Sequence, residues 1–460
     1  MRVVIVGAGQ VGFSIAALLT REGHDVVLVD RDSGRLADVG HRLDVATLVG
    51  TGCSPVLLGR AGIAKAGMVI AVTDSDEVNL LACLVAGRLA PEAMRIARVR
   101  DPEYHADPDL FRREPFGLRA VINPEEEAAR RLARALQVPG AMDVVQFLGG
   151  RVLLLGLRIE PGTPLAGRPM SEVQAPGGVR MRVACIERRG GLTIPGGKDS
   201  IEAADIAYFV CLREDAGAIL RLAGKSAEPV RTAMIFGAEN LGAYLARELD
   251  AAGVAVKIVS TDPERCRVCA ERLPRALVVQ GDGTDPEVLR DEGIEGIDAF
   301  IACSRHEERN VPAALLAKSL GARIAMVATA TPTYEHLALS IGIDAAISPQ
   351  SAVVGSIATL VRRGRVLSVQ ALWAHDAEVI ELQALAGSKL VSRPLRDASF
   401  PRGAMVLAVS RGETAAIATG DTVIEPGDGV VVIVRREALP KVEKVLAGRS
   451  DSIPPPPPKD

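Results

Sequence analysis

The chain begins with an apolar run that leads into a glycine-rich turn. Residues 3–6 are long enough for one buried strand, and the hexapeptide Gly7-Ala-Gly-Gln-Val-Gly12 follows at once. Residues 13–22 carry apolar side chains at helical spacing, and a second apolar run at 26–29 ends in Asp30. This order of strand, glycine-rich turn, helix, strand and acidic residue is typical of a dinucleotide-binding βαβ unit.

Each part of this pattern has a predicted role. Gly7 permits the tight turn, Gly9 lets a pyrophosphate approach the backbone, and Gly12 lets the helix pack against the strand. The helix N-terminus offers free N–H groups and a partial positive charge, and Asp30 accepts hydrogen bonds from ribose hydroxyls. The alternative is a glycine-rich turn without a ligand. The predicted phosphate-binding turn comprises Gly7, Gly9, Gln10, Val11 and Gly12.

Strand and helix patterns keep alternating as far as residue 136, which predicts a doubly wound parallel sheet. A strand at 68–72 leads into Thr73 and Asp74, at the carboxyl edge where such sheets bind ligands. These two residues either contact a cofactor or cap the next helix. Gly52 either approaches the adenosine or only shapes a turn.

The whole plan then repeats. Gly237-Ala-Glu-Asn-Leu-Gly242 matches residues 7–12 at an offset of 230, and Gly281-Asp-Gly matches residues 50–52 at 231. The predicted fold class is therefore α/β, with two Rossmann-like doubly wound parallel-sheet domains, each followed by a small α+β lobe. The predicted bounds are 1–138 and 229–352 for the Rossmann-like domains, 139–228 and 365–448 for the small lobes, and 449–460 for a proline-rich tail.

These motifs resemble the regulatory-subunit family of bacterial Trk potassium-uptake systems, whose halves are paired regulator-of-potassium-conductance (RCK) domains. The matching stretches are 7–12, 71–77 with Asn79, 96–100, 281–285 and 347–350. The resemblance implies binding of NAD(H) and of adenine nucleotides such as ATP or ADP. It also implies a ring-like homo-oligomer, expected to be a tetramer, under an integral-membrane potassium translocator.

The family pattern places Arg98 and Arg100 where basic side chains meet nucleotide phosphates; the alternative is that they mark an exposed strand end. The second half has no cation in the matching stretch, 324–330. It has Glu239 at the position of Gly9 and Ser260 at that of Asp30. A carboxylate about 5 Å from a phosphate charge costs roughly 3 kcal/mol at an effective dielectric constant near 20. We therefore predict that the first half binds nucleotide and the second is a degenerate copy.

Charge and composition narrow the function further. The net charge of −3 gives no reason to expect a nucleic-acid partner. No apolar run reaches the length of a membrane span, so we expect a cytoplasmic protein without direct membrane insertion. The six histidines form no pair at metal spacing, and Cys266 and Cys269 are expected to be structural. We predict no metal site and no catalytic residue.

Three functions remain open. The first is a nucleotide-sensing gating subunit, peripheral on the inner face of the cell membrane. The second is an NAD-dependent dehydrogenase, which shares the same fingerprint but for which no convincing acid–base set is found. The third is a binding module whose partner is another cytoplasmic protein.

Overall fold

The computed structural model describes residues 1–105, 107, 109–173, 178–189, 191–225, 227–329, 332–361, 366–372, 377–398, 400–439, 441–442 and 445. The proline-rich tail predicted at 449–460 lies outside them. The chain divides into two compact units. One consists of Met1–Ala133 and Val230–Leu360 and holds both Rossmann-like domains; the other consists of Arg134–Pro229 and Val361–Asp460 and holds both small lobes. This pairing of like with like was not expected from the sequence, and the predicted domain bounds stay predictions.

The first Rossmann-like domain is a parallel sheet wound with helices. Its elements are β1 (Arg2–Val6), α1 (Gln10–Arg21), β2 (Asp25–Asp30), α2 (Ser33–Arg42), β3 (Ala46–Val49), α3 (Pro55–Arg60), β4 (Ala66–Ala71), α4 (Asp76–Leu89), β5 (Met94–Arg98), β6 (Ala120–Ile122) and α5 (Pro124–Leu136). The strand order is β3-β2-β1-β4-β5-β6. The strand order turns back at β1, so the carboxyl end of β1 and the glycine-rich turn lie at the switch point where such folds bind ligands.

The second Rossmann-like domain repeats this topology strand for strand, in the order β14-β13-β12-β15-β16-β17. Its elements are β12 (Thr232–Phe236), α7 (Asn240–Ala251), β13 (Ala255–Ser260), α8 (Pro263–Arg272), β14 (Leu277–Gln280), α9 (Pro286–Asp291), β15 (Ala299–Ala302), α10 (Glu307–Ser319), β16 (Ile324–Ala328), α11 (Pro332–Ser340), β17 (Ala345–Ile347) and α12 (Pro349–Val361).

Each small lobe is an antiparallel five-stranded sheet. The first contains β7 (Asp143–Phe147), β8 (Val152–Arg158), β9 (Met181–Arg188), β10 (Gly191–Thr193), β11 (Ile206–Leu212) and α6 (Ala216–Leu222); the second contains β18 (Val366–Leu372), β19 (Ala377–Gln383), β20 (Ala404–Arg411), β21 (Thr414–Ile417) and β22 (Gly429–Arg435). Their strand orders, β10-β9-β11-β8-β7 and β18-β19-β22-β20-β21, are the same order read from opposite edges. The predicted α/β class and the predicted repeat are confirmed.

Buried side chains reproduce the repeat in the small lobes. Asp205 and Asp428 are each 3% exposed, and they accept hydrogen bonds from Arg188 and Arg411 respectively. The two sheets share one apolar core, in which Phe147 and Tyr208 of the first lobe pack with Val379 of the second. The small lobes are therefore a pair of duplicates joined through a common interior.

The element ends differ from the predictions at three places. Helix α1 begins at Gln10 rather than Phe13, because helical periodicity detects only the buried face and not the first turn. Strand β4 ends at Ala71, so Thr73 and Asp74 belong to the following loop. The sequence predicts a strand over residues 96–100 that carries both arginines, but β5 ends at Arg98, so Arg100 lies beyond the strand.

Among the described residues, no helix is both long and apolar enough to cross a membrane. The same residues contain no group of three or more histidine, cysteine or acidic side chains placed to hold a metal ion. Cys266 and Cys269 lie on α8 and are buried.

Candidate nucleotide site

Two glycines of the first turn are required by the fold itself. Gly7 has φ +108°, and a Cβ there would lie 2.9 Å from the backbone nitrogen of Thr73. A Cβ on Gly12 would lie 1.9 Å from the carbonyl oxygen of Gly7. Val11 is buried in the first turn of α1. These residues bring α1 into close contact with β1, so their identities are explained without any ligand.

Gly9 is different, because nothing in the fold requires a glycine there. It precedes α1 with φ −66° and ψ −174°, which any residue adopts, and a Cβ would meet only Arg35 Nη1 at 3.9 Å. Helix α1 has no side-chain cap and no acidic residue in its first turn. The first amide groups and the partial positive charge of α1 are therefore open to an anion, and the missing Gly9 side chain leaves room for one.

Asp30 borders the same turn. Its Oδ2 accepts a hydrogen bond from the backbone nitrogen of Ala8 at 2.6 Å, and its Oδ1 accepts one from the backbone nitrogen of Asp32 at 2.9 Å. Each carboxylate oxygen keeps a second lone pair, so Asp30 can hold the turn in place and still accept hydrogen bonds from a ribose. The predicted ribose contact thus has a suitable geometry.

The edge of the sheet next to the turn carries a pair of arginines. The Arg98 side chain is 14% exposed, and its Nη1 lies 3.4 Å from the carbonyl oxygen of Thr73 and 3.5 Å from Asp74 Oδ1. The Arg100 guanidinium donates to the carbonyl oxygen of Asp74. Burial lowers the pKa of Arg98, and the neighbouring charge of Arg100 lowers it further. An anion near these two cations would reduce their mutual repulsion.

Thr73 is not the helix cap that the sequence allowed, since Ser75 caps α4 by accepting from the backbone nitrogen of Val78. Thr73 is fastened instead by Asn79, a fully buried side chain. Asn79 Oδ1 accepts from the Thr73 backbone nitrogen at 2.8 Å, and Asn79 Nδ2 donates to the carbonyl oxygen of Arg98 at 2.9 Å. Asn79 is one of the positions shared by the two halves of the sequence, but the sequence did not indicate this role.

Gln10 and Gly52 have neighbours that the sequence did not reveal. Gln10 Oε1 accepts a hydrogen bond from Gln350 Nε2, on the first turn of α12 in the second Rossmann-like domain. A Cβ on Gly52 would lie 2.0 Å from Val6 Cγ1, so packing against β1 accounts for this glycine. A residue of the second domain thus stands at the edge of the first cleft.

The turn of residues 237–242 keeps the two glycines that the fold requires, but it differs at the positions predicted to contact a nucleotide. A Cβ on Gly237 would lie 2.7 Å from the backbone nitrogen of Ser304, and one on Gly242 would lie 2.1 Å from the carbonyl oxygen of Gly237. Glu239 has φ −74° and ψ 179°, nearly the conformation of Gly9. Its Oε2 is buried and has no hydrogen-bond partner among the described residues. The carboxylate therefore lies at the buried start of α7, where the first turn offers bare backbone.

The other two ligand positions are also altered. Ser260 is buried at the end of β13, and the backbone nitrogen of Asp262 donates to its Oγ at 3.3 Å. Asp262 caps α8 as Asp32 caps α2, so it does not replace the carboxylate of Asp30. Asn310 is the counterpart of Asn79, and its Nδ2 donates to the carbonyl oxygen of Ala328 as that of Asn79 donates to Arg98. Ala328 therefore occupies the position that Arg98 has in the first domain. The counterpart of Arg100, residue 330, lies outside the described residues.

Two domain families and several full-length relatives match this chain. The TrkA-N domain family matches residues 3–124 and 233–349, and the TrkA-C domain family matches 154–224 and 379–447. The Trk system potassium uptake protein TrkA of Halomonas elongata is 38% identical over 451 residues, which cover 97% of this chain and 98% of that protein. The TrkA of Haemophilus influenzae is 34% identical over 97% of this chain and 98% of its own length.

Solved structures show the same fold at lower identity. The GsuK channel has a TM-score of 0.60 and 18% identity, covering 97% of this chain and 79% of that one. A structure described as the GsuK channel bound to NAD has a TM-score of 0.57, with the same identity and coverage. The matches to both domain families, in tandem and over most of the chain, together with the full-length relatives, place this chain in the TrkA family of Trk system potassium uptake proteins.

Proposed function

We propose that the chain is the nucleotide-sensing regulatory subunit of a potassium uptake system. NAD(H), or an adenine nucleotide such as ATP or ADP, binds in the first Rossmann cleft and biases the opening of an integral-membrane Trk-type potassium translocator. The chain acts as a homo-oligomer, a tetrameric ring, on the cytoplasmic face of the cell membrane. One observation carries the nucleotide part of this proposal: Gly9 and Glu239 have the same backbone conformation, yet only Gly9 leaves space at a helix N-terminus.

The family supports a role in potassium transport rather than catalysis. The related chains of Halomonas elongata and Haemophilus influenzae are named for potassium uptake and not for an enzymatic activity. The fingerprint that both classes share is therefore accounted for by a regulatory subunit, and it no longer favours a dehydrogenase. The fold that this chain shares with the NAD-bound GsuK channel supports a nucleotide in a Rossmann-like domain of this kind.

Contacts between the two Rossmann-like domains could couple nucleotide binding to a change in the arrangement of the domains, and so to the membrane partner. Gln350 donates to Gln10 at the first turn, Asn123 Nδ2 donates to the Tyr244 hydroxyl at 3.1 Å, and Ser356 Oγ donates to Glu127 Oε2 at 2.9 Å. A ligand at the N-terminus of α1 touches the first of these contacts directly. A difference of about 1–3 kcal/mol in its affinity for two domain arrangements is enough for a 5- to 150-fold effect on gating.

This function is tested with the full chain, its co-isolated membrane partner and potassium flux in proteoliposomes. We expect the chain to co-isolate with an integral-membrane potassium translocator, and we expect flux to change when NADH, NAD or ATP is added on the side that carries the chain. The Gly9→Glu variant is expected to co-isolate equally well but to lose the response. Flux that is unchanged by the chain and by every nucleotide would refute the regulatory role.

A further inference from the structure

A cavity between the two Rossmann-like domains is lined by residues of both and by none of residues 7–12. Its volume is about 520 Å³, within the range of small-molecule sites. The wall from the first domain carries four carboxylates and one cation, which are Asp76, Asp101, Glu103, Glu125 and Arg100. The wall from the second domain carries Arg265 and Arg272. We call it the interdomain cavity. The wall from the first domain is therefore acidic on balance, and the wall from the second is basic.

Asp76 is the observation that points to a ligand. The residue is 9% exposed, and its Oδ2 accepts from the backbone nitrogens of Arg100 and Asp101, both at 2.9 Å. Its Oδ1 is buried and has no hydrogen-bond partner among the described residues. A buried carboxylate oxygen is unfavourable until a donor reaches it, and no described N–H or O–H group donates to this one, since the Arg100 guanidinium on the same wall donates to the carbonyl oxygen of Asp74.

The opposite wall offers free cations. Arg265 and Arg272 lie on α8, one on its first turn and one at its end, and neither forms an ion pair with any described residue. Arg267, on the same helix, is by contrast held by Glu264 and Glu271 at 2.6 Å each. The two guanidinium groups that line the cavity are thus available to an anion.

Other features of the lining restrict the ligand. No aromatic side chain lines the interdomain cavity among the residues that the structure describes, so it offers a nucleobase no stacking surface. Its carboxylates do not form one of the clusters that suit a metal ion, since the described part of the chain contains none. Glu125 is already engaged, because its Oε2 accepts from Asn240 Nδ2 at 3.3 Å. Two positions of the lining therefore have no partner among the described residues: Asp76 Oδ1 has no donor, and the Arg265 and Arg272 guanidinium groups have no anion.

We propose that the interdomain cavity binds a small zwitterion. Its ammonium group donates to Asp76 Oδ1, and its phosphate or carboxylate group pairs with Arg265 and Arg272. Because such a ligand contacts both Rossmann-like domains, its binding favours the arrangement in which their walls close around it. The cavity does not include the turn of residues 7–12, but Arg100, which the family pattern places near nucleotide phosphates, lines it as well.

The test is calorimetric titration of the full chain at low ionic strength. The probes are phosphoethanolamine and 4-aminobutyrate as zwitterions, with ethanolamine and inorganic phosphate as their single-charge halves. We expect one of the two zwitterions to bind at one per chain and at least about tenfold more tightly than either single-charge probe, a difference of about 1.4 kcal/mol. Comparing phosphoethanolamine with 4-aminobutyrate identifies the anionic group.

Three variants locate the binding. Asp76→Asn keeps an acceptor for the two backbone nitrogens and removes the free carboxylate oxygen; Arg265→Gln with Arg272→Gln removes the exposed cations. Each should weaken zwitterion binding at least about tenfold, whereas the control Arg267→Gln should not. NADH titration of the same samples reports separately on the nucleotide site. The proposal is overturned if neither zwitterion binds up to about 10 mM, if phosphate alone binds as tightly, or if the double arginine variant binds like the parent chain.

Discussion

Gly9→Glu is expected to remove NADH binding without destabilising the chain. The substitution copies Glu239 into a backbone that already has the matching conformation, and the added Cβ would meet only the flexible side chain of Arg35, 3.9 Å from its Nη1. Its carboxylate would stand at the N-terminus of α1, beside the position proposed for the pyrophosphate. A repulsion of about 3 kcal/mol weakens binding more than a hundredfold. Calorimetric titration with NADH measures the loss.

The neutral variant Gly9→Gln separates charge from crowding, because its side chain has the same size and no charge. It should bind NADH more weakly than the parent chain and more tightly than Gly9→Glu. Thermal unfolding of all three proteins should give closely similar transition temperatures. An unchanged Kd in Gly9→Glu would show that the nucleotide does not use this turn.

Gly12→Ala is expected to have the opposite profile, with a large loss of stability. The added methyl group would lie 1.9 Å from the carbonyl oxygen of Gly7 and 2.9 Å from its carbonyl carbon, and both atoms belong to the backbone. Helix α1 must then move away from β1, at the centre of the sheet. We expect the free energy of unfolding of this domain to fall by about 3 kcal/mol, at the upper end for overpacked cores. Urea unfolding, with hydrogen exchange of the β1 amides, measures it.

Gly40→Ala is the matched control for this substitution. Gly40 is an exposed position inside α2, and a Cβ there meets nothing within 4 Å. Alanine is the better helix former by about 1 kcal/mol, so this variant should be slightly more stable than the parent chain. If Gly12→Ala and Gly40→Ala gave the same stability, the close contact between α1 and β1 would not be a constraint of the fold.

Much of the fold could be predicted from local pattern. The strand, turn, helix and strand at residues 2–30 are encoded by neighbouring residues, and the same pattern near residue 230 made the repeat visible. The first turn of α1 was missed because Gly9 and Gln10 are outside the apolar periodicity on which the prediction relied. A helix start depends on its cap, and here the cap has no side chain.

The contacts between distant segments could not be predicted. Gln350 meets Gln10 across 340 residues, and Leu148 donates its backbone N–H to Glu381 across 233. Each is a single contact whose position depends on how whole domains pack, and the hydrophobic periodicity of the sequence does not indicate it. Gly52 is a similar case: its pattern suited a ligand, but contact with Val6 explains it. The contrast between Gly9 and Glu239 was predictable, because the two copies of one motif could be compared position by position.

The most direct measurement is a crystal structure of the full chain soaked with NADH. We predict density for one dinucleotide per chain, with its pyrophosphate at the turn of residues 7–12 and its ribose next to Asp30, and none at the turn of residues 237–242. A dinucleotide at the second turn with the first turn empty would contradict this prediction.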